Sequence, residues 1–274
     1  MPAVTTKELW AAAGPQQADH PADDGFQPPV STVKLPSRGL VYPPESPLYM
    51  TDTVDIRAVT AKEEDILSSP VLIKNGKVLT TLMRACITNR LIDPDQMLVG
   101  DRNAVLIAIR VSAYGPKYTV GVTCPKCGHE TESHDFDLSS LTLKTLDEVP
   151  AAPGTNVFSY VLPRMKKTVG FRLMDAALVA QVEKDTEAAR KVGQERGVTA
   201  RLFAQIVSMQ GVEDKDLHKA VSSLPAQDSR ALRNHMDKIA PGVDMEQDFE
   251  CPSCGQVSEV DIPIGTEFFW PSKV

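Results

Sequence analysis

VTCPKCGHETESHDFDL (residues 122–138) and DFECPSCGQVSEVDIPI (residues 248–264) are two versions of one pattern set more than a hundred residues apart. Each has an alternating stretch, then Cys-Pro-x-Cys-Gly, then a second alternating stretch, which predicts strand, tight knuckle, strand. A tight turn between the cysteines aims both sulfurs at one point. Glycine after the second cysteine permits the left-handed backbone that such a turn favours, and N–H groups in the turn can then face the sulfurs. Four thiolates complete a tetrahedral shell for zinc with arms of about 2.3 Å and leave no position for water or substrate, which is the mark of a structural site. The expected ligands of a single zinc ion are therefore Cys124, Cys127, Cys251 and Cys254. The rival arrangement is two separate half-sites, each completed by another chain.

Joining the pairs closes a long loop, at a cost of about 4 kcal/mol on logarithmic scaling. Structural zinc supplies about 10–16 kcal/mol in small peptide sites, enough to offset it. His129 and His134 follow the first knuckle, but four thiolates need no further ligand; His20, His218 and His235 stand alone. A thiol-exchange role would place one Cys-x-x-Cys at a helix N-terminus in a βαβ unit, whereas two strand-flanked pairs occur here. The fifth cysteine, Cys86, falls on an apolar helical face and reads as a core residue.

The chain has 274 residues, 42% of them hydrophobic and 24% charged, which suits a globular protein with a substantial core. Its formal charge of −7 argues against binding nucleic acid by neutralising phosphates, and only Lys126 adds a cation to either knuckle. A nucleic-acid-binding zinc ribbon stays as the alternative of another class. No run approaches the roughly 18 apolar residues of a membrane span, and the opening residues lack the pattern of a secretory signal, so an intracellular protein is expected. No Walker A, G-x-S-x-G, G-x-G-x-x-G or H-E-x-x-H pattern occurs; the expectation is a protein that is not an enzyme and has no small-molecule substrate.

Outward from the knuckles, an α+β architecture is expected, with helical regions attached to a small antiparallel module stapled by the ribbon. Residues 1–32, polar and Pro-rich, read as a flexible arm, and residues 33–116 as an extended segment and a helical region. Within it VDIRAV (54–59) reads as a strand, and Thr60 with Glu63 as a capping box opening a helix. Apolar spacing across Asn75-Gly76 predicts two helices, and a central helix is expected from an Asp101 N-cap to Gly115. Residues 117–141 form the first half of the ribbon. Residues 142–245 hold a linker (142–156), a strand pair turning at Pro163–Lys167, and helices from Asp175 to about Ala240, the last capped by Asp228. Residues 246–274 complete the ribbon and tail. Phe268, Phe269 and Trp270 concentrate aromatics in a chain with only 5% of them; they either fold back over the core or anchor an interface, with Trp270→Ala then weakening assembly.

Taken in order, VKLPSRGLVY (33–42), VDIRAVTAKEEDIL (54–67), LIDPDQMLVGDRNAVLIAIRVSAYG (91–115), VTCPKCG (122–128), DSRALRNHM (228–236), DFECPSCG (248–255) and FFWP (268–271) resemble the T4-type bacteriophage baseplate hub proteins, described as hub subunits or hub assembly chaperones. The likeness spans about residues 33–273. It implies a component of a contractile-tailed phage, sited at the virion tail baseplate and assembled in the host cytoplasm. It further implies that the partners are other baseplate and tail proteins. Zinc would then be a stabilising device.

Overall fold

The computed structural model describes residues 28–262, 264 and 266–269. Residues 1–27 of the expected arm and Trp270 lie outside the described residues. Val30–Thr32, assigned to the arm by sequence, instead open a strand: β1 (Val30–Lys34) pairs antiparallel with β2 (Thr53–Arg57), Val30 opposite Arg57. The extended backbone groups of the leader find their partners there.

Helix α1 (Ala61–Leu67) starts as its sequence predicts. The Thr60 N–H donates to a Glu63 carboxylate oxygen at 3.0 Å, and Arg57 closes on the same carboxylate at 2.7 Å. The Arg57 guanidinium, helped by Thr60 against the penalty of burial, draws Glu63 down to about 2. Two helices follow, α2 (Pro70–Lys74) and α3 (Val78–Cys86), broken at Gly76 with φ +64°.

The central helix α4 (Val99–Tyr114) is buried along most of its length, as expected from an apolar run too long for one exposed face. Its start differs from expectation. Leu98 holds the N-cap position, and Asp101 lies inside the first turn with no exposed surface. The Asp101 carboxylate accepts from the Ser37 N–H (2.9 Å), the Ser37 hydroxyl (2.5 Å) and the Tyr42 hydroxyl (2.6 Å). Burial lifts this carboxyl above its usual range, and the three donors pull against that lift. Asp101 therefore fastens the SRGLVY segment onto the central helix, a distant demand that outcompetes local capping. At Gly100 a β-carbon would come within 1.9 Å of the Pro241 carbonyl oxygen, so glycine is what lets residues 241–242 cross this helix.

Strands β3 (Lys117–Thr123) and β4 (Glu130–Asp137) make the first knuckle hairpin. The expected linker contains a short strand, β5 (Leu143–Lys144), which will meet a partner near residue 242. Strands β6 (Phe158–Val161) and β7 (Thr168–Phe171) form the predicted pair.

Helices α5 (Ala176–Lys191) and α6 (Gly197–Gln205) come next, and Asp175 caps α5 by accepting from the Leu178 N–H at 2.7 Å. Sequence periodicity carries the second helix on through IVSM, but the chain leaves the helix at Gln205. Ile206–Met209 becomes β8, adding a third strand beside β7. The β-branched Ile206 and Val207 suit a pleated edge. The Gln205 carbonyl and side-chain amide both bond the Arg172 backbone, which brings the segment alongside β7.

Helices α7 (Asp214–Ser222) and α8 (Ala226–Ile239) complete the helical region. Asp228, expected as a cap, is again inside a first turn and fully buried, with Pro225 at the N-cap position. Its oxygens accept from the N–H groups of Arg164 and Met165 at 2.7 and 3.0 Å, so it braces the β6–β7 turn instead. The short strand β9 (Gly242–Val243) pairs with β5, and β10 (Glu246–Glu250) with β11 (Val257–Asp261) forms the second knuckle hairpin. The fold is α+β, as expected. One continuous core joins β1, α3, α4, the β6–β8 sheet, α8 and the closing turn Thr266–Phe269. Among the described residues no helix is long and apolar enough to cross a membrane.

Candidate metal centre

The two knuckles have the same backbone. In the first, the Cys124 N–H bonds the His129 carbonyl at 2.8 Å and the Gly128 N–H bonds the Cys124 carbonyl at 3.0 Å; in the second, Cys251 to Gln256 and Gly255 to Cys251 repeat this at 3.0 and 2.9 Å. Gly128 and Gly255 both have positive φ, +73° and +65°, as the position after the second cysteine requires. In each knuckle the first cysteine is buried and the second exposed. Residue alternation explains the burial: Val122 with Cys124, and Phe249 with Cys251, share the inner face of their strands, and with Val260 they form a small core under the site.

The four sulfurs converge within one chain. All lie within 4.8 Å of one another, which rules out half-sites kept apart for completion elsewhere. Cys124 Sγ is 3.8 Å from Cys254 Sγ, and Cys127 Sγ is 3.7 Å from Cys251 Sγ. A tetrahedron with metal–sulfur arms of about 2.3 Å has sulfur–sulfur edges of roughly 3.8 Å, so both cross pairs match such an edge. They are far beyond the roughly 2.05 Å of a disulfide. The Lys126 ammonium bonds the Gln256 side chain at 2.8 Å, tying one knuckle to the other beside the sulfurs.

The electrostatics ask for a cation. N–H groups of Cys127 and Lys126 point at the Cys124 sulfur and, with neighbouring thiols, draw it down to about 6. At Cys127 the His129 N–H acts in the same sense, but loss of water and the thiols of Cys254, Cys124 and Cys251 outweigh it and push Cys127 up to about 12. Once one sulfur ionises, its neighbours resist, because like charges gather at one point. A bound divalent cation removes that opposition and lets all four act as thiolates. The residues present thus fit a metal ion with four sulfur ligands, and such a shell has no vacancy for chemistry on a substrate.

The histidines play other parts. His129 contributes its carbonyl to the knuckle, and His134 packs edge-on against Phe136 and Phe249 at 4.6 and 5.0 Å. Neither belongs to the ligand group. Cys86 is fully buried, and burial pushes its thiol up to about 12, which makes it unreactive.

Phe268 and Phe269 have no exposed surface. Phe268 packs against Tyr118 at 5.0 Å, and its carbonyl accepts from Arg110 Nε at 2.9 Å. The same buried guanidinium donates to the Gly115 and Lys117 carbonyls, locking the closing turn against the start of β3. The interface role expected of these two rings is thereby corrected: side chains spent on their own core offer no area to a partner.

No curated protein and no solved structure matches the chain. The family model for T4 bacteriophage base plate proteins matches residues 29–270, nearly all of the residues described above and both knuckles with them. The chain belongs to the T4 bacteriophage base plate protein family and is a component of a phage baseplate.

Proposed function

We propose that the protein is a non-enzymatic structural component of the hub region in the baseplate of a contractile-tailed phage. In this reading it acts through contacts with other baseplate and tail proteins and is assembled in the host cytoplasm. One zinc ion on Cys124, Cys127, Cys251 and Cys254 serves as a staple. The observation that carries the reading is the closed group of four thiols, drawn from segments 124 residues apart across the nearer cross pair. It supports a device for holding distant parts of a scaffold together. Zinc fits because it accepts tetrahedral thiolate shells and has no redox chemistry of its own.

Two measurements test this. Elemental analysis of the purified chain should find about one zinc per chain and no iron, and loss of that zinc in Cys124→Ser with Cys251→Ser. Mass spectrometry of purified virions should find the protein retained. Its absence from virions, with normal baseplate formation, would overturn the structural role in favour of a chaperone for hub assembly.

A further inference from the structure

The outer face of the β10–β11 ribbon is a ladder of like charges. Register places Glu246 opposite Asp261, Asp248 opposite Glu259, and Glu250 opposite Val257. All six side chains are exposed, Val257 at 52%. Among the described residues none of the five carboxylates takes part in an ion pair. Like charges directly opposite on neighbouring strands destabilise a ribbon, so this arrangement is unfavourable in the isolated chain. It belongs to a wider asymmetry. Residues 117–137 and 246–261 together hold nine carboxylates and two lysines, a formal −7, which equals the charge of the whole chain. Everything outside the two hairpins balances to zero.

The complementary surface is on the same molecule. The β6–β7 turn presents Arg164, Met165 and Lys166, all exposed, with Lys167 beside them and Val161 exposed at 57%. None of the three cations is in an ion pair among the described residues. The turn is held from beneath by the buried Asp228, which occupies the N–H groups of Arg164 and Met165. Lys166 keeps a left-handed backbone, φ +55°, that a side-chain-bearing residue rarely adopts. A basic tip with exposed apolar side chains, braced in one conformation, loses little entropy on docking. Arg and Met are also residue types enriched at interfaces.

We propose that the protein associates head to tail with a second copy of itself, the carboxylate ladder of β10–β11 in one copy receiving the β6–β7 turn of the next. Arg164, Lys166 and Lys167 meet the carboxylates, and Met165 lies towards Val257. A two-fold dimer that places ladder on ladder is opposed by repulsion; in the head-to-tail contact each copy offers its ladder to one neighbour and its turn to another, and the assembly closes into a ring or runs on as a filament. This inference goes beyond the zinc reading and does not depend on which metal is bound.

Sedimentation of the full, metal-loaded chain tests it. Association is expected at about 50 mM salt and should weaken at least tenfold at about 500 mM, as the screening length drops to a few ångströms. Lys166→Glu with Lys167→Glu should abolish it, and so should Asp248→Lys with Glu250→Lys. A one-to-one mixture of the two variants should associate again, because the unaltered basic tip of the ladder variant meets the unaltered carboxylate ladder of the tip variant. Arg164→Gln and Glu259→Gln, which remove charge without adding any, should each weaken association and serve if a reversed variant fails to fold. A chain that stays monomeric at low salt at every concentration, association indifferent to salt or to both reversals, or a mixture that stays dissociated would each overturn the proposal.

Discussion

Removing the metal should open the knuckle ends of the two hairpins while leaving the rest of the chain folded. No strand of one hairpin pairs with a strand of the other. Beneath the sulfurs they share a core of Cys124, Phe249 and Cys251 with Val122 and Val260 alongside. Burying one phenylalanine contributes about 1.5–3 kcal/mol, and a lone two-stranded hairpin is marginal in water, so the knuckle ends have almost nothing to hold them without metal. Tyr118 and Phe136 keep the far end of the β3–β4 hairpin in the main core. A metal contribution of about 10–16 kcal/mol leaves at least roughly 6–12 kcal/mol even if the whole loop closure, at most about 4 kcal/mol, is charged to it. That is comparable to the stability of a whole domain. The loaded knuckle ends should therefore open only when the protein unfolds, and the apo knuckle ends almost freely. The β5–β9 pair and the buried Phe268 and Phe269 close the same loop without metal, which is why the main core should survive. Hydrogen exchange with and without a strong chelator is the assay. Protection at the amides of Cys124, Gly128, Cys251 and Gly255 should fall by at least about 1,000-fold, equivalent to about 4 kcal/mol, with helix α4 unchanged. Knuckle amides that stay protected in metal-free protein would refute the reasoning, and so would global unfolding on chelation.

Four further outcomes follow from buried groups. Glu63 is drawn down to about 2 from an ordinary 4.5. Its folded-state value is depressed, so the stability it contributes, about 3 kcal/mol, is fully present above pH 4.5 and lost as pH falls towards 2; Glu63→Gln should flatten that part of a denaturation-versus-pH curve. Asp101→Ala strips the acceptor from three buried donors at about 1–3 kcal/mol each, and urea unfolding should register a loss of about 3 kcal/mol or more. Gly100→Ala drives a β-carbon into the Pro241 carbonyl and should cost at least about 3 kcal/mol in the same assay, since backbone and not a flexible side chain must yield. Phe268→Ala should cost about 3–5 kcal/mol of stability in the isolated chain; unchanged stability with impaired baseplate assembly would restore the interface role withdrawn from this ring.

The residues that announced themselves in the sequence did so through chemistry confined to a few neighbours. Cys-Pro-x-Cys-Gly encodes its turn in five positions, and the second copy supplies the missing two ligands, so Cys124, Cys127, Cys251 and Cys254 could be named without coordinates. The Thr60–Glu63 cap, the break at Gly76 and the β6–β7 hairpin are local in the same way. Even the small core under the sulfurs was within reach, since Val122 and Phe249 each stand two residues before a cysteine on one strand face. What the tertiary structure alone decided depends on groups brought together across the chain. Asp101 and Asp228 each look like a helix cap, yet their oxygens answer to Ser37 and Tyr42 in one case and to Arg164 and Met165 in the other. Helical spacing through Leu202, Phe203 and Ile206 gave way at Gln205 because β7 presented an open edge. Phe268 and Phe269 turned inward because Arg110, more than 150 residues earlier, binds the carbonyl between them. Local sequence carries the conformations a short segment prefers; only packing determines which distant partner a buried polar group or an aromatic ring will meet.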